Sequence, residues 1–207
     1  MSLRVAVLVS GEGSNLQALL DTVHGRDGIE IVGVVASREE ARGLQRAEAA
    51  GVETAVFSLA DEPDRERRDE ALAGWLEERE VELVVLAGFM ELLTPAFIRR
   101  FRGRIVNVHP ALLPAFPGLG AIQQALDHGV KVAGVTVHFV DEGVDSGPIV
   151  LQEAFELPYH RDIAAIEQRF HEVEHRLLPR AVRLIAAGAV SIDPGNPRLV
   201  RVEQDDG

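Results

Sequence analysis

A chain of 207 residues, 46% of them hydrophobic, carries enough apolar material for one core of ordinary α/β size. The absence of cysteine excludes disulfides, thiolate metal sites, iron–sulfur clusters and a thiol nucleophile. With Lys+Arg 21 against Asp+Glu 33 the formal charge is −12, which opposes contacts to a phosphate backbone, so nucleic acid is not an expected partner.

Mean hydropathy is +0.06. No apolar run approaches the ~18 residues of a membrane span, and nothing ahead of Leu3–Val9 resembles a signal peptide, so a cytoplasmic protein with no membrane partner is expected. In chain order, strand-like runs fall at Arg4–Val9, Ile29–Ala36, Thr54–Phe57, Leu83–Ala87 and Ile105–His109. Between them Asn15–Val23, Glu39–Ala50, Arg65–Arg79 and Pro95–Arg100 show helical spacing, with Thr94-Pro95 as a helix start. The mixed-sign stretch Asp61–Glu70 reads as a solvated helix face. Alternation of apolar strands with helices predicts an α/β fold with a mostly parallel central sheet and helices on both faces. A short helix over Gln123–His128, two adjacent strands at Val130–Val140 and Ile149–Glu156, and a long helix at Asp162–Ala187 follow. Pro179 should bend or divide that helix. Residues 1–189 read as one domain; residues 190–207 read as a C-terminal tail, polar from Asn196 onward and frayed or weakly paired.

Two segments carry chemistry. The first is Val9-Ser10-Gly11-Glu12-Gly13-Ser14-Asn15, a glycine-rich turn between the first strand and the first helix. Its glycines allow close approach, and the N–H groups and dipole of the helix attract an anion. The turn reads as a phosphate seat at Gly13, Ser14 and Asn15, provided Glu12 points outward; the alternative is a plain strand–helix closure. The dinucleotide pattern is excluded because the third glycine is missing.

The second is Ile105–Pro148. Asn107 and His109 lie two apart in an apolar run, so an extended backbone points both to one face. Asp145, in a glycine-bounded loop, can return to that face and favour the charged imidazole. A cationic ring stabilises an oxyanion and moves a proton, while Asn107 donates to the same oxygen, which suits acyl transfer to nitrogen better than hydride transfer. No G-x-S-x-G elbow is present. A metal on His109, His138 and Asp145 matches no standard spacing, and His138 reads as a hydrogen-bonded strand histidine.

Taken together, Ser10–Gln17, Leu86–Leu93, Asn107–Pro114 and Val137–Pro148 resemble the phosphoribosylglycinamide formyltransferase (GAR transformylase) family over Arg4 to about Arg183. The resemblance implies a Rossmann-like formyltransferase fold and transfer of a formyl group from 10-formyltetrahydrofolate, as co-substrate, to the amine of phosphoribosylglycinamide in purine biosynthesis, without a metal. It implies Asn107, His109 and Asp145 as catalytic residues, the substrate phosphate at Gly13, Ser14 and Asn15, and Glu174 at the substrate's ribose or glycinamide end. It assigns the folate pocket to Arg65, Met90, Glu91, Leu92, Leu93, Asn107, Val140 and Asp141.

Two departures stand out. Leu119-Gly120-Ala121 replaces a stretch where the family often carries His, and Gly120 is expected to loosen the loop. Glu91 stands where some relatives have Arg, which disfavours a polyglutamate tail. The alternatives are a formyltetrahydrofolate deformylase-like hydrolase and a non-catalytic phosphometabolite-binding protein. The sequence is compatible with a monomer or a homodimer.

Overall fold

An unbroken apolar run such as Val5–Val9 is stable as a strand only where both its faces are covered. In the computed structural model, which describes residues 2–158 and 162–203, this run is the fully buried end of β1 (Leu3–Val9). The chain divides into two units, residues 1–107 and 108–207.

The first unit alternates β1, α1 (Ser14–Thr22), β2 (Ile29–Ala36), α2 (Arg42–Ala49), β3 (Thr54–Val56), α3 (Arg65–Glu78), β4 (Leu83–Leu86) and α4 (Pro95–Arg100), and its last three residues open β5 (Ile105–His109), whose final two residues begin the second unit. All strand pairs run parallel, in the order β3-β2-β1-β4-β5. The strand order therefore reverses direction between β1 and β4. In open α/β sheets, such a switch point opens a crevice beyond the carboxyl ends of the strands.

Helix starts follow side-chain caps. Asp64 accepts from the N–H groups of Glu66 and Arg67, and Thr94 accepts from that of Phe97, with Pro95 at the first helical position as predicted. Helix α2 begins at Arg42, three residues later than its spacing suggested, because Arg38–Ala41 forms a turn closed by Ala41 N–H on the Arg38 carbonyl. Gly33 on β2 is required by packing: a Cβ there would lie 2.4 Å from the Trp75 ring.

The second unit contains α5 (Ala121–Asp127), β6 (Val132–Phe139), β7 (Ile149–Glu156), α6 (Ile163–Ala186), β8 (Val190–Ile192) and β9 (Val200–Val202). Strands β6 and β7 form an antiparallel hairpin on which α6 packs. Phe170 of α6 meets Phe155 of β7 edge to face at 4.9 Å. Pro179 does not divide α6, which runs unbroken for 24 residues. A proline in a helix interior costs about 3 kcal/mol, offset here by burial of the ring together with Leu177, Leu178, Ala181 and Val182. The stretch read as a weakly paired tail holds a hairpin instead: β8 pairs with β9, and β9 contacts β7. Its turn is fixed by Asp193, whose Oδ1 accepts from the N–H groups of Gly195 and Asn196. The last four residues of the predicted tail lie outside the described residues.

The mostly parallel α/β architecture expected from the strand–helix alternation is thus present. Among the described residues, no helix is long and apolar enough to cross a membrane.

Candidate active site

His109 closes β5 and is buried, and both of its ring nitrogens face oxygen. Nε2 lies 2.8 Å from the Phe116 carbonyl, and Nδ1 lies 3.3 Å from Asp145 Oδ2. A carbonyl oxygen only accepts, so Nε2 carries a proton. A carboxylate likewise only accepts, so Asp145 is placed to take a hydrogen bond from Nδ1. The pairing of His109 with Asp145 anticipated from the sequence is therefore formed within the second unit.

Asp145 has φ +49, a left-handed conformation that Asp tolerates better than most residues. Its Oδ2 accepts from Gly118 N–H at 2.7 Å, and its Oδ1 lies 3.6 Å from His138 Nε2. Burial alone would push this carboxyl up. It is outweighed by the His138 side chain, the Gly118 N–H and the charges of His109 and His138, which hold it at about 2. Next in the loop, Gly147 makes the turn possible, since a Cβ there would lie 1.8 Å from the Phe139 carbonyl oxygen.

His138 was underread from the sequence. It is a strand histidine whose Nδ1 faces the Phe139 carbonyl at 2.9 Å, yet its other nitrogen points at Asp145. The signal was the polar alternation Gly134-x-Thr136-x-His138 inside an apolar strand, which puts three non-apolar positions on one face of β6. Among the described residues, no group of three or more His, Asp or Glu is arranged to hold a metal ion.

The loop 111–121 is tied down at several points. Thr136 Oγ1 donates to the Ala111 carbonyl and accepts from Leu113 N–H, and Gln152 Nε2 donates to the Leu113 carbonyl. A Cβ at Gly134 would lie 2.6 Å from Leu112 Cδ2, so that glycine admits the Leu112 side chain. Gly120, expected to loosen the loop, instead caps α5 with φ +70, and Gln124 Nε2 donates to the Leu119 carbonyl beside it. The glycine relieves strain at a left-handed position rather than adding slack.

In the first unit the glycine-rich turn places Gly13 at the cap of α1, with φ +71. Being a glycine, it makes no side-chain cap to the first turn of the helix. Glu12 points outward, as the phosphate reading requires: it is exposed and pairs with Arg42 at 3.0 Å. Arg46 donates from Nε to the Glu12 carbonyl and from Nη1 to Gln17 Oε1. Gly13→Ala would place a Cβ 2.7 Å from the Gly43 Cα at a left-handed residue. A loss of roughly 1–3 kcal/mol is expected, read as a lower denaturation midpoint.

The segment after β4 borders a cavity of about 420 Å³ lined by Ser10, Ser37, Arg38, Ser58, Met90 and Glu91 among others. Ser10, Ser37, Ser58 and Met90 each follow the carboxyl end of a strand, where a switch-point crevice belongs. Ser10 Oγ accepts from Ser37 Oγ and from Met90 N–H. Met90 and Leu92 are exposed, while Glu91 and Leu93 are half-buried. Arg65 is the exposed first residue of α3. The cation that reaches this segment is Arg68, one turn on, paired with Glu91 at 3.0 Å; sequence reading passed it over as part of a solvated face.

Of the remaining candidates, Asn107 is half-buried two residues before His109 on β5, and strand geometry puts both on one side of it. In the second unit, Glu174 is buried on α6, and Val140 and Asp141 follow β6. Asp141 Oδ1 accepts from Gly143 N–H and Ser146 Oγ, which shapes the loop leading to Asp145.

Known proteins share this arrangement of elements. The "Trifunctional purine biosynthetic protein adenosine-3" of Drosophila pseudoobscura pseudoobscura is 47% identical over 90% of this chain, which spans only 14% of that relative's length. The "Phosphoribosylglycinamide formyltransferase" of Bacillus subtilis (strain 168) is 39% identical over 87% of this chain and 93% of its own. The crystal structure of glycinamide ribonucleotide transformylase 1 from Symbiobacterium toebii superposes with a TM-score of 0.93 at 46% identity, covering 98% of this chain and 95% of that one. The sequence model of the family described as Formyl transferase matches residues 3–182. With a strand-end histidine held between a carboxylate and a carbonyl, and these matches over most of its length, the chain belongs to the formyl transferase family.

Proposed function

We propose that the protein transfers the formyl group of 10-formyltetrahydrofolate to the amine of phosphoribosylglycinamide, a step of purine biosynthesis. The observation that carries this reading is the buried His109 ring, with a carboxylate on Nδ1 and an oxygen on Nε2. A ring in that setting is suited to hold negative charge on a carbonyl oxygen, which formyl transfer to nitrogen requires. Membership in the formyl transferase family supports it.

In the proposed reaction the glycinamide nitrogen attacks the formyl carbon and forms the new C–N bond, and the formyl oxygen becomes an oxyanion. That oxygen takes up the direction along which His109 Nε2 now meets the Phe116 carbonyl, and Asn107 donates to the same oxygen. Collapse breaks the bond from the formyl carbon to N10. The proton lost by the attacking amine ends on N10, giving tetrahydrofolate and the formylated product. Asp145 keeps the ring positioned throughout.

The phosphate of the substrate is assigned to Gly13, Ser14 and Asn15, and its ribose or glycinamide end to Glu174. The folate is assigned to Arg65, Met90–Leu93, Asn107, Val140 and Asp141. The exposed apolar Met90 and Leu92 beside the cavity support that assignment. Ser14→Ala should chiefly raise KM for the phosphorylated substrate; a change confined to the folate KM would contradict the phosphate assignment.

The test is to mix purified protein with both substrates and follow loss of the formyl group. Transfer that requires the amine supports the proposal. Release of formate without the amine indicates a hydrolase, and no turnover indicates a binding protein.

A further inference from the structure

Arg68 is 1% exposed and ranks among the largest fully buried side chains of the chain. Arginine is almost never buried unless paired, and here the two terminal nitrogens face partners while the buried Nε makes no hydrogen bond. One guanidinium nitrogen lies 2.6 Å from Asp69 Oδ1, another lies 3.0 Å from Glu91 Oε2, and the Leu92 carbonyl accepts at 3.4 Å. Asp69, buried beside it, accepts from Thr94 N–H at 2.6 Å. From the other side Ser10 Oγ accepts from Met90 N–H at 2.8 Å. Residues 90–94, which contain no strand or helix, are therefore anchored at Met90, Glu91, Leu92 and Thr94.

What these anchors present is apolar: Met90 is 64% and Leu92 59% exposed. Stability alone does not account for the cluster, because apolar residues of similar volume often serve as well or better than a buried ion pair. A fixed loop conformation does account for it, since a surface held in its bound shape before the ligand arrives loses less freedom on binding.

We propose that Arg68 is a positioning residue: acting through Glu91 and Asp69, it holds Met90–Leu93 in the conformation that receives the folate-derived donor. This rests on the formyl-transfer reading above. It also reinterprets Glu91, whose carboxylate is committed to Arg68.

The test is steady-state kinetics of Arg68→Met, Arg68→Lys, Glu91→Gln and the Arg68→Met/Glu91→Gln pair, with 10-formyltetrahydrofolate and phosphoribosylglycinamide each varied, alongside thermal melts. Arg68→Met should raise the donor KM by about tenfold while the KM for the phosphorylated substrate stays within about twofold. Arg68→Lys keeps the charge but not the fork that meets Glu91 and Leu92 together, so it should recover part of the loss. The double variant should be no worse than Arg68→Met, because both changes break one interaction. Should Arg68→Met fail to fold, Arg68→Lys and Glu91→Gln still decide the matter by the same shift in donor KM. Folded variants with lowered melting points and unchanged donor KM, or with only the other KM raised, would overturn the inference and leave the formyl-transfer reading standing. Wild-type protein that transfers no formyl group would overturn both.

Discussion

His109→Ala is expected to lower kcat by on the order of 10²-fold or more, about 2.7 kcal/mol of lost transition-state stabilisation. The ring has a proton-bearing nitrogen aimed at an oxygen and a carboxylate on its opposite side, at 3.3 Å against the 3.6 Å that separates His138 from the same carboxylate. Charge appears on the formyl oxygen only as the bond to nitrogen forms. The loss should therefore fall on kcat and kcat/KM together, and less on either KM. Single-turnover transfer with both substrates saturating isolates this step. A variant that retains near-wild-type kcat would remove His109 from the chemistry.

Asp145→Asn is expected to produce a fall of similar size, on the order of 10²-fold in kcat. Asparagine tolerates φ +49 and keeps an oxygen for Gly118 N–H, so the loop is retained while the charge is lost. The same carboxylate should also appear in acid stability. Its folded-state value, about 2, lies below the ordinary 3.8. The folded state therefore binds the proton less readily than the unfolded chain, and stability is gained wherever the group is ionised. The contribution, about 2 kcal/mol, is fully present above about pH 4 and is lost as pH falls through about 2. Denaturant titrations of wild type and Asp145→Asn should show a gap at neutral pH that narrows below about pH 4. A gap constant with pH would mean that Asp145 acts by shape alone.

The fold was legible where hydrophobic pattern decides it. The bounds of β2, β5, β7 and α4 match their sequence patterns, because apolar runs and the Thr94-Pro95 start leave little choice. Where caps and close contacts decide, the pattern was less informative. Glu39 and Glu40 look like the acidic first turn of a helix, yet they sit in the turn before α2. Gly120, read as slack, starts α5 two residues before the spacing does. The hairpin β8–β9 was invisible because three-residue strands show almost no periodicity.

The same division runs through the candidate site. Asn107 and His109 on one strand follow from local chain geometry, and the approach of Asp145 to His109 was legible from the chemistry of the two side chains and the glycine-bounded loop. The second histidine on Asp145 and the Phe116 carbonyl on His109 depend on the exact path of irregular loops, and the burial of Arg68 depends on a partner distant in sequence, none of which a periodic pattern records. Arg68 in particular sits in a run of mixed charge, where composition argues for solvent and only the partners Asp69 and Glu91 reverse that.

The most direct measurement is a crystal structure with phosphoribosylglycinamide and an unreactive analogue of the formyl donor bound together. The account predicts the carbonyl oxygen of the analogue at hydrogen-bond distance, roughly 2.6–3.2 Å, from His109 Nε2, with Asp145 still on Nδ1. A carbonyl carbon seated away from His109, or an Asp145 turned from the ring, would contradict it.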